Sequence, residues 1–296
     1  MTRRLAIVNP AAGRGRVRRE WPPLANRLHD AGLEFDSTET GAPGEAVALA
    51  ERAAKEFDVV IAVGGDGTVH EVVNGLLRAG GGAALGVLPL GSGDDFVKML
   101  PARDAMERIV QGVPRPCDAG RIQTGRADAA RYFANGMDIG FGAHASRNTR
   151  RVPQFLTGLG IYLGALALTL LRYPTLKVRL QLDGGEAYSQ STAMTAVMNG
   201  RSFGGSFQVC PEARADDGEL DLLIADGVGR LAILGLVPRI MRGTHAGDPR
   251  LKLARARRVL IESDAPLLVE ADGEIAFEDA QRLEIEVLPG ALRVLA

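Results

Sequence analysis

Short apolar runs alternate with segments of helical period over the first 117 residues. LAIVN (5–9), VVIAV (59–63) and LGVLP (85–89) are continuous and rich in aliphatic side chains, the pattern of strands buried on both faces. The stretches 18–31, GEAVALAERAAKE (44–56) and VHEVVNGLLRA (69–79) carry apolar residues at helical spacing. FDSTET (35–40) reads as extended and DDFVKML (94–100) as a short helix. This alternation predicts an α/β unit built on a doubly wound, mostly parallel sheet.

After Cys117 the pattern changes. RIQ, RYFANGMDIGFG and a series of later runs read as short strands joined by Asp-Gly or Gly-Gly turns, which predicts an antiparallel β-sandwich. Helical stretches at 154–172 and 228–243 interrupt it. The expected organisation is a first domain over 1–117 and a β domain over 118–286. The last strand, about 287–296, is a candidate to return to the first domain.

A chain of 296 residues can bury two modest cores. Apolar residues at 46% and charged residues at 24% are those of a globular protein, and a net charge of −1 gives no general attraction to nucleic acid. Cys117 and Cys210 fall outside any CxxC pattern and read as buried reduced thiols of a cytoplasmic protein. The N-terminus reads as a first strand and a glycine-rich turn, without the long apolar core of a signal peptide. FLTGLGIYLGALALTLL (155–171) has 17 residues, three of them glycine, against the roughly 20 that a span needs. It reads as a buried helix lining a core or lipid pocket, with a surface-docking helix and a span as the alternatives.

GGDGT (64–68) joins a buried strand directly to a helix. Its glycines allow a sharp bend and close approach of a ligand. Thr68 is the expected N-cap, with Glu71 three residues on completing a capping box. Backbone amides at the positive end of a helix suit a phosphate. An aspartate there would repel one unless a cation lies between, which points to a nucleotide with Mg²⁺; the bare alternative is a tight turn with no ligand. LGVLPLGSGDDF repeats the design, with Ser92 as N-cap and Asp95 three residues on, and NPAAG (9–13) is a third such turn. Three turns at strand ends of one parallel sheet would converge at its carboxyl edge. There is no GxxxxGK[ST], and GRGR lacks the last glycine of a dinucleotide fingerprint.

NPAAG, GGDGTVHEVVNGL, LPLGSGDDF, PEARADDGELDLL and ADGE, in this order, resemble the bacterial diacylglycerol kinase-like lipid kinases, a family that extends to eukaryotic diacylglycerol and sphingosine kinases. GGDGT alone is shared with NAD kinases and phosphofructokinases; the later motifs make the resemblance specific. It implies an NAD kinase/diacylglycerol kinase-like first domain that binds ATP along Asn9, Pro10, Gly13, Thr40, Gly64, Gly65, Asp66, Gly67, Thr68, Glu71, Gly91 and Ser92. It implies Glu274, in ADGE, as general base, and Asp66, Asp95 and Asp118 as the acidic catalytic network. It implies a structural Mg²⁺ held by the Asp217 carboxylate with the backbone carbonyls of Arg214 and Glu219. Two positions depart from the usual GTGNDF: Ser92 stands for threonine and keeps the hydroxyl, and Asp94 stands for asparagine and adds a charge.

The expected function is therefore an ATP- and Mg²⁺-dependent transfer of phosphate to a lipid hydroxyl, diacylglycerol or a related lipid, by a cytoplasmic protein in peripheral contact with the inner membrane face. A homodimer is one option for its assembly. The alternatives are an NAD kinase-like small-molecule kinase and a lipid-binding or regulatory protein without turnover.

Overall fold

The computed structural model describes residues 2–91, 93–126, 130–149, 151–152, 159–172, 175–205 and 207–296. The chain divides into two compact units, one of residues 1–118 and 289–296, the other of residues 119–288.

In the first unit the strands are β1 (Arg4–Val8), β2 (Asp36–Glu39), β3 (Val59–Gly64) and β4 (Ala84–Pro89), and the helices α1 (Ala12–Asp30), α2 (Glu45–Ala53), α3 (Asp66–Arg78) and α4 (Ala105–Gln111). β1 lies between β2 and β3, and β3 between β1 and β4, each pairing parallel. Val294, near the chain's end, pairs parallel with Leu85 of β4. All six residues of β3 are buried, as a strand covered on both faces requires. Val17, Trp21 and Leu28 of α1, Ile61 and Val63 of β3 and Leu88 of β4 meet in one core. Each such side chain contributes about 1.5–3 kcal/mol by leaving water.

Three boundaries differ from the sequence expectation. The first residues of α1, Gly13 to Gly15, have left-handed backbone, so its regular turns start later than its nominal first residue. Helix α3 begins at Asp66, with Gly65 as N-cap, rather than after Thr68. DDFVKML forms only a 3₁₀ turn at Val97–Met99, where Asp94 adopts a left-handed φ of 53°.

The second unit is built on β5 (Pro114–Gln123, from Ala119 onward), β6 (Arg131–Phe133), β7 (Gly136–Gly140), β8 (Leu176–Leu182), β9 (Tyr188–Met198), β10 (Leu220–Asp226), β11 (Leu251–Ala256), β12 (Arg258–Ala271) and β13 (Glu274–Leu295, to Leu288). Its antiparallel pairings run β11–β10–β9–β7–β12–β13, with β8 pairing both β9 and β12. Met137, Ile139, Val197, Leu222, Ile261 and Leu283 lie in its core.

Among the described residues, three helices belong to this unit: α5 (Phe141–Thr149), α6 (Leu159–Arg172) and α7 (Arg230–Met241). The first is absent from the sequence expectation, which continues RYFANGMDIGFG as strand. Gly140 turns the chain at φ 98°, and the Asp138 carboxylate accepts the Ala143 amide at 3.0 Å, so a helix starts where alternation would continue. Helix α6 is not fully buried as expected of 155–171. Ala165 and Thr169 are buried while Leu171 is 71% exposed, and residues 155–158 lie outside the described residues. Among the described residues no helix is long and apolar enough to cross a membrane.

Candidate active site

Three turns of the first unit meet at the amino end of α3. Asn9 ends β1 by donating its amide to Val63 O at 3.0 Å. Its side chain donates from Nδ2 to Thr68 Oγ1 at 3.1 Å and accepts the Ala11 amide on Oδ1 at 3.1 Å. Pro10 continues that turn, and Gly13 follows with φ 60°, where a Cβ would stand 2.6 Å from Leu90 O. A Cβ on Gly91 would likewise stand 2.7 Å from the Gly65 Cα. Gly13 thus packs on Leu90 and Gly65 on Gly91 at a separation that leaves no room for a side chain.

The carboxylates of this cluster hold the turns together. Asp66 accepts the Asp95 amide on Oδ1 and the Asp94 amide on Oδ2, both at 2.9 Å. Burial first, then the nearby Asp95 and Asp94, lifts the Asp66 carboxyl to about 6, against the pull of those two amides. Asp95 is buried and meets Lys98 Nζ at 3.0 Å. Asp94 is raised by burial, opposed chiefly by Lys98. Its left-handed backbone is one that asparagine and aspartate both tolerate, so the departure from the family's asparagine keeps the turn and adds a charge.

Thr68 is buried within the first turn of α3 and is not its N-cap, because the helix starts before it. Glu71 makes no capping box either. Its carboxylate accepts the Gly44 amide at 2.9 Å and the Ala46 amide at 3.1 Å, and so starts α2 from a neighbouring helix. Thr40, at the end of β2, donates its amide to Val8 O at 2.8 Å, beside the strand that leads to Asn9. Gly64 and Gly67 flank the start of α3, and Ser92 lies outside the described residues. Asp118 is buried, and its Oδ1 accepts the Gly290 amide at 2.7 Å.

In the second unit Glu274 opens β13 directly after a two-residue turn in which Asp272 and Gly273 have φ of 50° and 92°. Positive φ at both positions is the type I′ hairpin geometry. The turn is gripped from several directions. The Asp272 carboxylate accepts the amides of Ala134, Asn135 and Gly136 at 2.9 to 3.0 Å. Ser146 Oγ of α5 donates to Gly273 O at 3.0 Å, and the Gly273 amide donates to Glu270 Oε1.

On the DDG loop, Asp217 Oδ1 accepts the Glu219 amide at 3.2 Å and Oδ2 meets the Arg255 guanidinium. Arg255 also reaches Glu219 at 3.1 Å and Asp221 at 3.7 Å, while Arg214 pairs with Asp216. Asp221 Oδ2 is buried with no hydrogen-bond partner, and burial raises this carboxyl. Among the described residues no three His, Cys, Asp or Glu side chains form a metal-holding group.

Sequence reasoning overlooked Asp138 and Glu270, both fully buried. The available signal was a single acid inside each of two apolar strands, GMDIG and PLLVEA.

An α/β unit with three glycine turns is followed by an antiparallel unit in which Glu274 leaves a tightly held hairpin turn. Residues 3–122 match the diacylglycerol kinase catalytic domain, and residues 135–296 the YegS C-terminal NAD kinase beta sandwich-like domain. A diacylglycerol kinase of Bacillus subtilis (strain 168) is 30% identical over 284 residues, covering 93% of this chain and 90% of that protein. A diacylglycerol kinase crystal structure from Bacillus anthracis str. Sterne superposes with a TM-score of 0.73 at 22% identity, over 99% of this chain and 96% of that one. More distantly, an NAD kinase of Archaeoglobus fulgidus in complex with ATP shares the fold with a TM-score of 0.50 at 15% identity, over 99% of this chain and 93% of that one. The chain belongs to the diacylglycerol kinase-like family of lipid kinases.

Proposed function

We propose that the protein transfers the γ-phosphoryl group of ATP, with Mg²⁺, to the hydroxyl of diacylglycerol or a related lipid. The observation that carries this reading is the close pairing of Gly65 with Gly91 at the amino end of a 13-residue helix, amid Asp66, Asp94 and Asp95. Exposed amides at a helix N-terminus favour phosphate. Three carboxylates favour it only with a divalent cation between, so donor set and ligand fit each other as a metal nucleotide. Asp66 and Asp95 are the residues that would hold that Mg²⁺, directly or through water, and the ion would offset charge on the transferring phosphoryl group. Asn9, Pro10, Gly13, Thr40, Gly64 to Thr68, Gly91 and Ser92 line the nucleotide in this reading, and Glu71 shapes the Thr40–Ala46 segment beside it.

Glu274 takes the proton of the acceptor hydroxyl as the new bond forms. Its turn is fixed by three sets of hydrogen bonds, which gives the backbone that carries it a set position before the reaction. Asp118 contributes by holding the backbone at Gly290. A second Mg²⁺ on Asp217 and the carbonyls of Arg214 and Glu219 fits the local excess of acids, since Asp217, Glu219 and Asp221 share the single guanidinium of Arg255.

The acceptor lies in a bilayer, and α6 with α7 supplies a face suited to one. Leu171 and Leu231 are 71% and 84% exposed, and Arg230 Nη1 donates to Leu171 O at 3.3 Å, bringing the two helices together there. Residues 139–182 and 227–247 contain no Asp or Glu but several arginines, among them Arg147, Arg151 and Arg230. Exposed leucines beside these basic stretches, in which Arg147 reaches Glu278 at 3.9 Å, suit an anionic membrane surface.

Transfer from labelled ATP with Mg²⁺ to diacylglycerol, ceramide, sphingosine, phosphatidylglycerol and undecaprenol in mixed micelles tests the reading, with NAD as soluble control. A labelled lipid that disappears in Glu274→Ala is the expected result. Label on NAD alone, or on no acceptor, would overturn it.

A further inference from the structure

Beneath the turn that presents Glu274 lie two carboxyl groups with no role in the reaction described above. Asp138 of β7 and Glu270 of β12 are direct partners in the antiparallel register, and both are fully buried. Asp138 Oδ2 accepts the Ala143 amide, and Glu270 Oε1 accepts the Gly273 amide. Their other oxygens, Asp138 Oδ1 and Glu270 Oε2, are buried without a hydrogen-bond partner, on side chains that the register sets side by side. Two ionised carboxylates are acceptors only, so these two oxygens can satisfy each other only with a proton on one.

Among the described residues, the groups that act on the pair bring no positive charge. Beside β7, Asp138 is opposite Ala196 of β9; beside β12, Glu270 is opposite Ile275 of β13. Helix α5 contributes the amides of Gly142 and Ala143, and its His144 ring turns to Gly140 O at 2.8 Å. Asp272, which also acts on Glu270, has the same sign and already accepts three amides. A Cβ on Gly142 would lie 2.4 Å from Asp138 Oδ2, so the helix closes over the pair. Burial lifts Asp138 to about 7, and burial with Asp138 alongside lifts Glu270 well above its ordinary value.

We propose that Asp138 and Glu270 share a proton, and that this protonated pair is the positioning device for Glu274: it keeps Glu270 Oε1 on the Gly273 amide and so fixes the turn from which Glu274 projects. Loss of the last shared proton would leave two adjacent buried charges and push Glu270 away from the turn. The pair's folded affinity for protons exceeds that of unfolded carboxyls. Its stabilisation is therefore complete below the usual carboxylate range and is lost as pH rises through about 7 and above. The positioning role rests on the reading of Glu274 as proton acceptor; the shared proton does not.

Glu270→Gln keeps an acceptor for Gly273 and gives Asp138 an amide donor, replacing the proton with a group that does not titrate. Glu270→Ala removes both, and Asp138→Asn repeats the first change from the other side. Melting curves and lipid phosphorylation are measured from pH 6 to 9. In the wild type both melting temperature and kcat should fall on the alkaline side, and in Glu270→Gln and Asp138→Asn the fall above about pH 7 should be lost. Glu270→Ala should lower kcat about tenfold or more with little change in KM for ATP, a loss that Glu270→Gln largely restores. Superimposable melting profiles for wild type and the two amide variants would refute the shared proton. Melting profiles that differ while the kcat profiles coincide would refute the positioning role. Transfer that survives Glu274→Ala would remove the basis for positioning, while the melting curves would still decide the proton.

Discussion

Asp66 Oδ1 accepts the Asp95 backbone amide at 2.9 Å, so the carboxylate of one glycine turn sets the position of the next. The opening residues of α3 thereby do two things at once. Their amides and helix end suit a phosphate, and their aspartate ties the turn at 64–68 to that at 90–95.

Asp66→Asn should weaken both functions. An asparagine can accept one of the two amides but turns an N–H toward the other, at a cost of about 1–3 kcal/mol. The wild-type titration has a definite sign. A carboxyl raised to about 6 gives stability that is present below its unfolded value and lost as pH rises through about 6. Metal-nucleotide affinity should rise over the same interval, because only the ionised form favours a cation. Melting with and without Mg²⁺-ATP between pH 5 and 8 should show the free protein falling while the ligand-induced increment grows. In Asp66→Asn the increment should stop growing and the fall through about 6 should disappear, leaving the fall at higher pH that belongs to Asp138 and Glu270.

Gly91→Ala tests the close approach rather than the charge. Its methyl would stand 2.7 Å from the Gly65 Cα, so one turn must retreat. Expected is a rise of about tenfold in KM for ATP with the second unit's melting unaffected. Unchanged nucleotide affinity would mean that the turns can separate without consequence for the ligand.

The leucine face makes a prediction independent of the chemistry. Leu171→Glu with Leu231→Glu should abolish flotation with vesicles containing phosphatidylglycerol, where the wild type binds and salt weakens the binding. Phosphorylation of a short-chain acceptor in detergent should persist. If the double variant instead changes only the molecular mass in solution, the face joins two copies of the chain.

Much of this was legible before any coordinates. Continuous apolar strands such as VVIAV and the 3.6-residue period of Val69, Val72, Val73 and Leu76 depend on local pattern, and both survive in β3 and α3. Helix ends were less legible, because they depend on partners distant in sequence. Thr68 looked like an N-cap until Asn9 claimed its hydroxyl, and Glu71 looked like its capping partner until Gly44 and Ala46 did. Helix α5 was hidden because its start depends on Gly140 and on the inward-facing Asp138. The carboxyl pair was hidden for a similar reason: only strand register brings residues 138 and 270 together.

The DDG loop supplies the last test. Arg255 is the single guanidinium that Asp217, Glu219 and Asp221 share, and Asp221 retains a buried oxygen without a partner. Burial raises the Asp221 carboxyl and Arg255 opposes that rise, so removing the arginine should raise it further. Arg255→Ala should therefore lower the melting temperature, and the loss should grow with pH as the uncompensated acids ionise. If this loop also takes a divalent cation, Mg²⁺ should recover part of the loss in Arg255→Ala, and Asp217→Asn should abolish that recovery. A melting temperature equally insensitive to Mg²⁺ in wild type and both variants would show that the arginine alone balances these charges, and the second Mg²⁺ would be withdrawn from the proposed mechanism.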